Sequence, residues 1–135
     1  MKLHELATVL RSKSAGPFLN TIDIFLETDE TYRRVRDSGI LTKDLVARLY
    51  HIRPEEVLGI FFVDEARGIK ITVPKPSGVA SGDPDCRDIY GAQYYIPLLD
   101  IEIPLTCKEI AIWGTRNLGR LSIILAYAPR VGSVR

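Results

Sequence analysis

Apolar residues along this chain change their spacing, from three and four residues near the start to two over much of the remainder. Leu3, Leu6, Ala7 and Leu10 stand at i, i+3, i+4 and i+7, which is one face of a short helix. Gly16-Pro17 ends that helix, because proline disfavours the α conformation at the residue before it. From Thr21 the pattern alternates, with Ile22, Ile24 and Leu26 set against Thr21, Asp23 and Phe25. A period of two marks a strand with one buried face.

Two helices follow. Thr28-Asp29-Glu30 opens the first, since hydroxyl and carboxylate oxygens satisfy free amides at the positive end of the helix dipole. Tyr32 and Val35 give it a thin apolar stripe, Arg33, Arg34 and Arg36 a solvated face, and Ser38-Gly39 a left-handed stop. Thr42 caps the second helix, with Leu45, Val46 and Leu49 turned inward. Pro54 to Val57 reads as a single helical turn with proline at its first position.

Val57 to Val63 is almost wholly apolar, as in a strand covered on both faces. After the turn Asp64–Gly68, the residues Ile69, Ile71 and Val73 alternate with Lys70 and Thr72, so the two runs form an antiparallel hairpin. Pro74 to Asp88 is rich in Pro, Gly, Ser and Asp, and is a long loop. Leu99, Ile101 and Ile103 predict another strand. A last hairpin has Ile110 and Ile112 in one arm and Leu121, Ile123, Leu125 and Tyr127 in the other. Helices grouped apart from a run of strands predict an α+β fold: a mostly antiparallel sheet, two or three helices on one face, and an added C-terminal hairpin.

A chain of 135 residues with 46% hydrophobic and 26% charged residues is one ordinary globular domain. Eighteen basic against seventeen acidic side chains give no basic excess, which speaks against a nucleic-acid binder, a DNA-reading helix pair or a polybasic membrane module. No apolar run approaches the roughly 20 residues of a membrane helix. The start lacks the apolar stretch of a signal peptide. Cys86 and Cys107 are isolated, as thiols in a reducing compartment are. The expected location is cytoplasmic. Asp83, Asp85 and Asp88 fail the spacing of a calcium loop, no His/Cys cluster or phosphate-cradling motif is present, and neither metal nor cofactor is expected.

The candidate chemistry lies in two stretches. Arg11-Ser12-Lys13-Ser14-Ala15-Gly16-Pro17 brings two cations and two hydroxyls to a turn. Arg11 as a planar fork and Lys13 as a point charge suit a carboxylate or phosphate, and amides near Gly16 add donors. Asp23, on the strand face opposite the isoleucines, is either a solvated carboxylate or one held beside Arg11 and Lys13. In Ile89-Tyr90-Gly91-Ala92-Gln93, the glycine permits close backbone approach while Tyr90 and Gln93 supply neutral donors and acceptors. Asp23, Tyr90 or Gln93 would orient a hydroxyl or move a proton. Alternatively, Arg11 merely fastens the turn by pairing with Asp23 or Asp88.

These stretches carry a resemblance. Leu6-Ala-Thr-Val-Leu-Arg-Ser-Lys-Ser-Ala-Gly-Pro-Phe18 and Thr21-Ile-Asp-Ile24 resemble the opening of a small bacterial domain family of unknown function. The likeness continues through Ser38-Gly-Ile-Leu-Thr42, Val46-Ala-Arg-Leu-Tyr50, Pro54-Glu-Glu-Val-Leu58, Ile69-Lys-Ile-Thr-Val-Pro74, Asp88-Ile-Tyr-Gly-Ala-Gln93 and Pro97-Leu-Leu-Asp-Ile-Glu-Ile-Pro104. Members of that family occur beside, or fused to, acyclic terpene utilisation (AtuA-type) proteins of branched-acid and acyl-CoA catabolism. The C-terminal domain of those larger proteins is ferredoxin-like. The resemblance therefore implies a ferredoxin-like sandwich over 1–104, with 105–135 as an extension, completing a larger partner.

By position, the motif residues carried over are Arg11, Ser12, Lys13, Ala15, Gly16 and Pro17, then Asp23, Asp64, Lys70, Asp88, Tyr90, Gly91 and Gln93; of these, Arg11, Ser12, Lys13, Gly16, Lys70, Asp88 and Gln93 are expected to bind an anion, and Asp23 and Tyr90 to be catalytic. Ser14 replaces the family's usual Asn, and Tyr94-Tyr95 replaces a Gln-His pair, which removes a general-base candidate. The function expected is an accessory small subunit of an AtuA-type complex in hydroxy-acid or acyl-CoA catabolism. The alternatives are a stand-alone lyase or hydratase acting on a small carboxylate or CoA ester, and a non-catalytic interaction domain. Open sheet edges also suit strand pairing into a homodimer.

Overall fold

Two β-hairpins flank a pair of helices in the structure, a computed structural model that describes residues 1–75 and 79–104. A single helical turn, α1 (Leu3–Leu6), leads into β1 (Ala7–Ser14) and β2 (Leu19–Leu26). Helices α2 (Asp29–Asp37) and α3 (Lys43–Tyr50) follow, then β3 (Gly59–Val63) and β4 (Gly68–Pro74). The four strands form one antiparallel sheet in the order β1-β2-β4-β3. The α+β class and the antiparallel sheet are as the sequence predicts. A ferredoxin-like sandwich alternates its elements as βαββαβ. The described elements run ββααββ after α1, so their order lends that finer expectation no support. The expected C-terminal hairpin lies outside the described residues.

Local chemistry explains the helix limits. The Thr28 hydroxyl accepts from the Thr31 amide, and Gly39 takes a φ of +64° beyond the last turn. The Thr42 hydroxyl accepts from the Leu45 amide at the start of α3. Its last turn closes on His51, a non-glycine residue at φ +55°.

On one face of the sheet the register stacks Leu10, Ile24 and Ile69 in one row and Ser12, Ile22, Ile71 and Ile60 in the next. Ile22, Ile24, Ile69 and Ile71 are buried there with Tyr32 and Val35 of α2 and Val46 and Ala47 of α3. Each buried Ile or Val there stabilises the fold by roughly 1.5–3 kcal/mol. Strand β2 is central and nearly all buried, its polar Thr21 and Asp23 included.

Three expectations are corrected. Ala7 to Leu10 belong to β1, not to a helix. The apolar spacing there fits either state, and an isolated short helix is marginal, so pairing with β2 decides. The Val57–Val63 run is not covered on both faces: β3 is an edge strand whose Phe61, Phe62 and Val63 are exposed among the described residues. Leu99 to Ile103 do not form a strand. They follow a 3-10 turn, Ile96–Leu98, and contribute one bridge, Lys2 to Glu102. This segment is a clasp on the N-terminus, with the Leu3 amide donating to the Ile101 carbonyl at 2.8 Å and the Ile103 amide to the Met1 carbonyl at 2.8 Å. Leu3, Leu98 and Ile103 are buried by it.

Candidate functional site

Because Arg11 to Ser14 lie in a strand and not in the turn, their side chains alternate between the two faces of the sheet. Arg11 and Lys13 project to the face away from the helices, and Ser12 and Ser14 project inward. The motif therefore does two separate jobs.

On the open face, the register sets Arg11, Asp23, Lys70 and Phe61 side by side across all four strands. The Asp23 side chain is only 6% exposed. It accepts from Arg11 Nε at 3.2 Å and lies 3.5 Å from Lys70 Nζ. The Arg11 guanidinium also sits 5.8 Å from the centre of the Phe25 ring, within cation–π range. The next row sets Lys13, Thr21, Thr72 and Gly59 together. Two cations thus hold one carboxylate, with Lys13 one row away, and both Arg11 and Lys70 stay about half exposed. Val9, Phe61 and Val63 add exposed apolar surface to the same face.

On the inner face, the core turns polar toward the end of β1, where Ser12, Ser14 and Asn20 replace aliphatic residues. Loop 88–94 covers them. Ser12 Oγ donates to the Gly91 carbonyl at 2.5 Å, Ser14 Oγ to the Ile89 carbonyl at 2.6 Å, and the Ser14 amide to the Tyr90 carbonyl at 2.6 Å. Gly91 adopts φ +68°, and a Cβ there would stand 2.3 Å from Asn20 Oδ1 and 2.9 Å from the Ser14 nitrogen. Only glycine lets the loop approach this closely. The Asp88 carboxylate shapes the loop by accepting from the Ala92 and Gln93 amides at 3.1 and 3.0 Å. The Tyr50 hydroxyl donates to the Tyr94 carbonyl, tying the loop to α3. Burial pushes the Tyr50 phenol well above its ordinary range, with Tyr94 adding to the shift.

The predicted residues thus separate. Arg11, Asp23 and Lys70 meet, with Lys13 one row away on the same face. Ser12 and Asp88 hold the loop, and Ser12 is turned from the cations. Gly16, at φ +81°, forms the β1–β2 turn, where the Ala15 amide donates to the Leu19 carbonyl at 2.8 Å. Tyr90 is 81% exposed, and Gln93 is exposed beyond the loop's anchor. Both histidines lie elsewhere: His4 Nδ1 contacts the Leu99 carbonyl at 2.8 Å, and His51 ends α3.

Two inward polar residues escaped the sequence reading. Asn20 shares the phase of Ile22, Ile24 and Leu26, and Lys75 continues the phase of Ile69, Ile71 and Val73. A polar residue in step with a buried row was the available signal.

The chain belongs to the family described as a domain of unknown function (DUF4387), which matches residues 3–102. No curated protein matches it, and no solved structure does.

Proposed function

We infer that this domain is a cytoplasmic accessory subunit that docks on a larger AtuA-type protein of hydroxy-acid or acyl-CoA catabolism. The observation that carries this reading is the open sheet face. Arg11 and Lys70 hold a single carboxylate there with Lys13 one row away, beside exposed Val9, Phe61 and Val63 and the β3 edge, which no other described strand pairs. Apolar contact area bounded by cations is the composition of a docking surface. Spare guanidinium and ammonium donors suit a carboxylate or CoA phosphate held where the two proteins meet.

The resemblance to AtuA-associated domains supplies the partner, and a ferredoxin-like relation enters with it. Four antiparallel strands under helices are the level at which the two compare. No helix among the described residues is long and apolar enough to cross a membrane. A lyase or hydratase acting alone would need its proton-transfer groups within this chain. Asp23, its nearest candidate, is occupied by two cations.

The test is a tagged pull-down from native extract, followed by co-expression with the neighbouring AtuA-type protein. Near-equal recovery of the two chains, reduced by Arg11→Glu and Phe61→Asp, is the expected result. Recovery of this chain alone, as a monomer or as a homodimer paired through β3, refutes the reading.

A further inference from the structure

Behind loop 88–94, away from the open face, lies a cavity of about 290 Å³ whose lining includes Lys75, Val79, Asp85, Arg87, Asp88 and Tyr94. Lys75 is the unusual member. It is only 3% exposed, yet its partners are neutral: Nζ donates to Ser14 Oγ at 3.0 Å and to the Ile89 carbonyl at 3.4 Å. An ammonium has three donors, and no described carboxylate pairs with this one. Buried lysines without a carboxylate are rare, because desolvating a charge is costly unless an opposite charge offsets it.

A second buried group stands beside it. Asn20 is fully buried, and neither its amide nitrogen nor its oxygen has a hydrogen-bond partner among the described residues. The Asn20 amide lies close enough to the Tyr94 phenol to oppose the upward push that burial gives it, though short of hydrogen-bond geometry, and Tyr94 lines the cavity. A core that needed only packing would place aliphatic residues in both positions. The two acids of the wall are differently engaged. Both Asp88 oxygens accept loop amides, whereas Asp85 is exposed at the rim.

We propose that this cavity binds a small monocarboxylate, its carboxyl group received by Lys75 Nζ and its uncharged end lying against Val79 and Tyr94. Size and charge set the class. At about 290 Å³ the half-open cavity takes a small carboxylic acid whole. Arg87, exposed on the same wall, offsets Asp85 and Asp88, but a second carboxylate lying against Val79 and Tyr94 would be desolvated without a partner. The site is distinct from the open face and needs no partner protein, so it stands or falls independently of the accessory-subunit reading.

The experiment is calorimetric titration of the full chain, alone, with butanoate, lactate, succinate, butanamide and inorganic phosphate. Butanoate or lactate is expected to bind one to one, succinate more weakly, and butanamide not at all. Lys75→Met is expected to weaken butanoate by about tenfold or more, the worth of one charged hydrogen bond. Val79→Trp fills the cavity while leaving Lys75 in place, and weakens binding even if Lys75→Met fails to fold. Several results overturn the proposal: no carboxylate binding by the folded chain, butanamide binding as tightly as butanoate, phosphate favoured over every carboxylate, or full affinity in either folded variant.

Discussion

Replacing Gly91 by alanine isolates the close approach between loop 88–94 and the motif strand. Gly91 and Gly39 share nearly the same backbone conformation, at φ +68° and +64°. Placing alanine in that left-handed region costs about 1–2 kcal/mol at either position. A Cβ at Gly39 meets nothing within 4 Å, whereas one at Gly91 falls 2.3 Å from Asn20 Oδ1, 2.9 Å from the Ser14 nitrogen and 3.0 Å from the Lys13 carbonyl carbon. Two of those three atoms belong to the backbone of a paired strand and cannot yield locally. The loop must therefore lift, and its bonds from Ser12 Oγ, Ser14 Oγ and the Ser14 amide are lost. At a net contribution of about 1 kcal/mol each, Gly91→Ala should cost about 3 kcal/mol more than Gly39→Ala. That difference is a substantial share of the 5–15 kcal/mol typical of a domain. Urea unfolding of the two variants, compared at matched m-values, measures it. If they agree within about 1 kcal/mol, loop docking on β1 contributes far less than the three bonds indicate.

Two further perturbations test the site and its support. An Arg11→Ala, Asp23→Asn double-mutant cycle should give a coupling of about 0.5–1 kcal/mol, because one partner is buried but the other remains half exposed and screened. A coupling indistinguishable from zero would remove the fastening role of Arg11, and full loss of partner capture without loss of stability would leave it a binding residue only. On the alkaline side, the raised folded pKa of Tyr50 means that the folded state retains a proton the unfolded chain releases. Its contribution is complete below the unfolded value near pH 10 and is lost as pH climbs above it. Stability measured by urea unfolding should therefore fall above about pH 10, less steeply in Tyr50→Phe; identical profiles would refute the assignment.

The parts of the fold that were legible in the sequence are those where one local signal decides the outcome. Thr28 and Thr42 cap helices by their own hydroxyls, and Ile22, Ile24 and Leu26 alternate in a strand whose buried face needs no other information. Strand β1 was illegible because Arg11-Ser12-Lys13-Ser14 has no apolar phase. Its state is set by β2 on one side and loop 88–94 on the other. Leu99 to Ile103 erred in the opposite direction. They have a strand's alternation, but a strand requires a neighbour with free amides and carbonyls, and among the described residues only Lys2 supplies a bridge. The pairing of Arg11 with Asp23 was among the readings open from sequence. The separation of Ser12 from Arg11 depended on recognising β1, as did the covering of the polar end of the core.

The clasp between Met1–Leu3 and Ile101–Ile103 also bears on the order in which the chain assembles. The Met1 and Ile103 contact spans 102 positions of sequence, whereas the β1–β2 and β3–β4 hairpins close over short turns. Loop-closure entropy rises with separation, and hairpins form in microseconds. The two hairpins and the capped helices therefore form early, and joining β2 to β4 brings them into one sheet. These two segments meet last, once the sheet has carried residue 101 back beside residue 3. Contacts formed after the transition state govern the rate of unfolding more than that of folding. The first three residues, peripheral in sequence, act as a latch on the lifetime of the folded state.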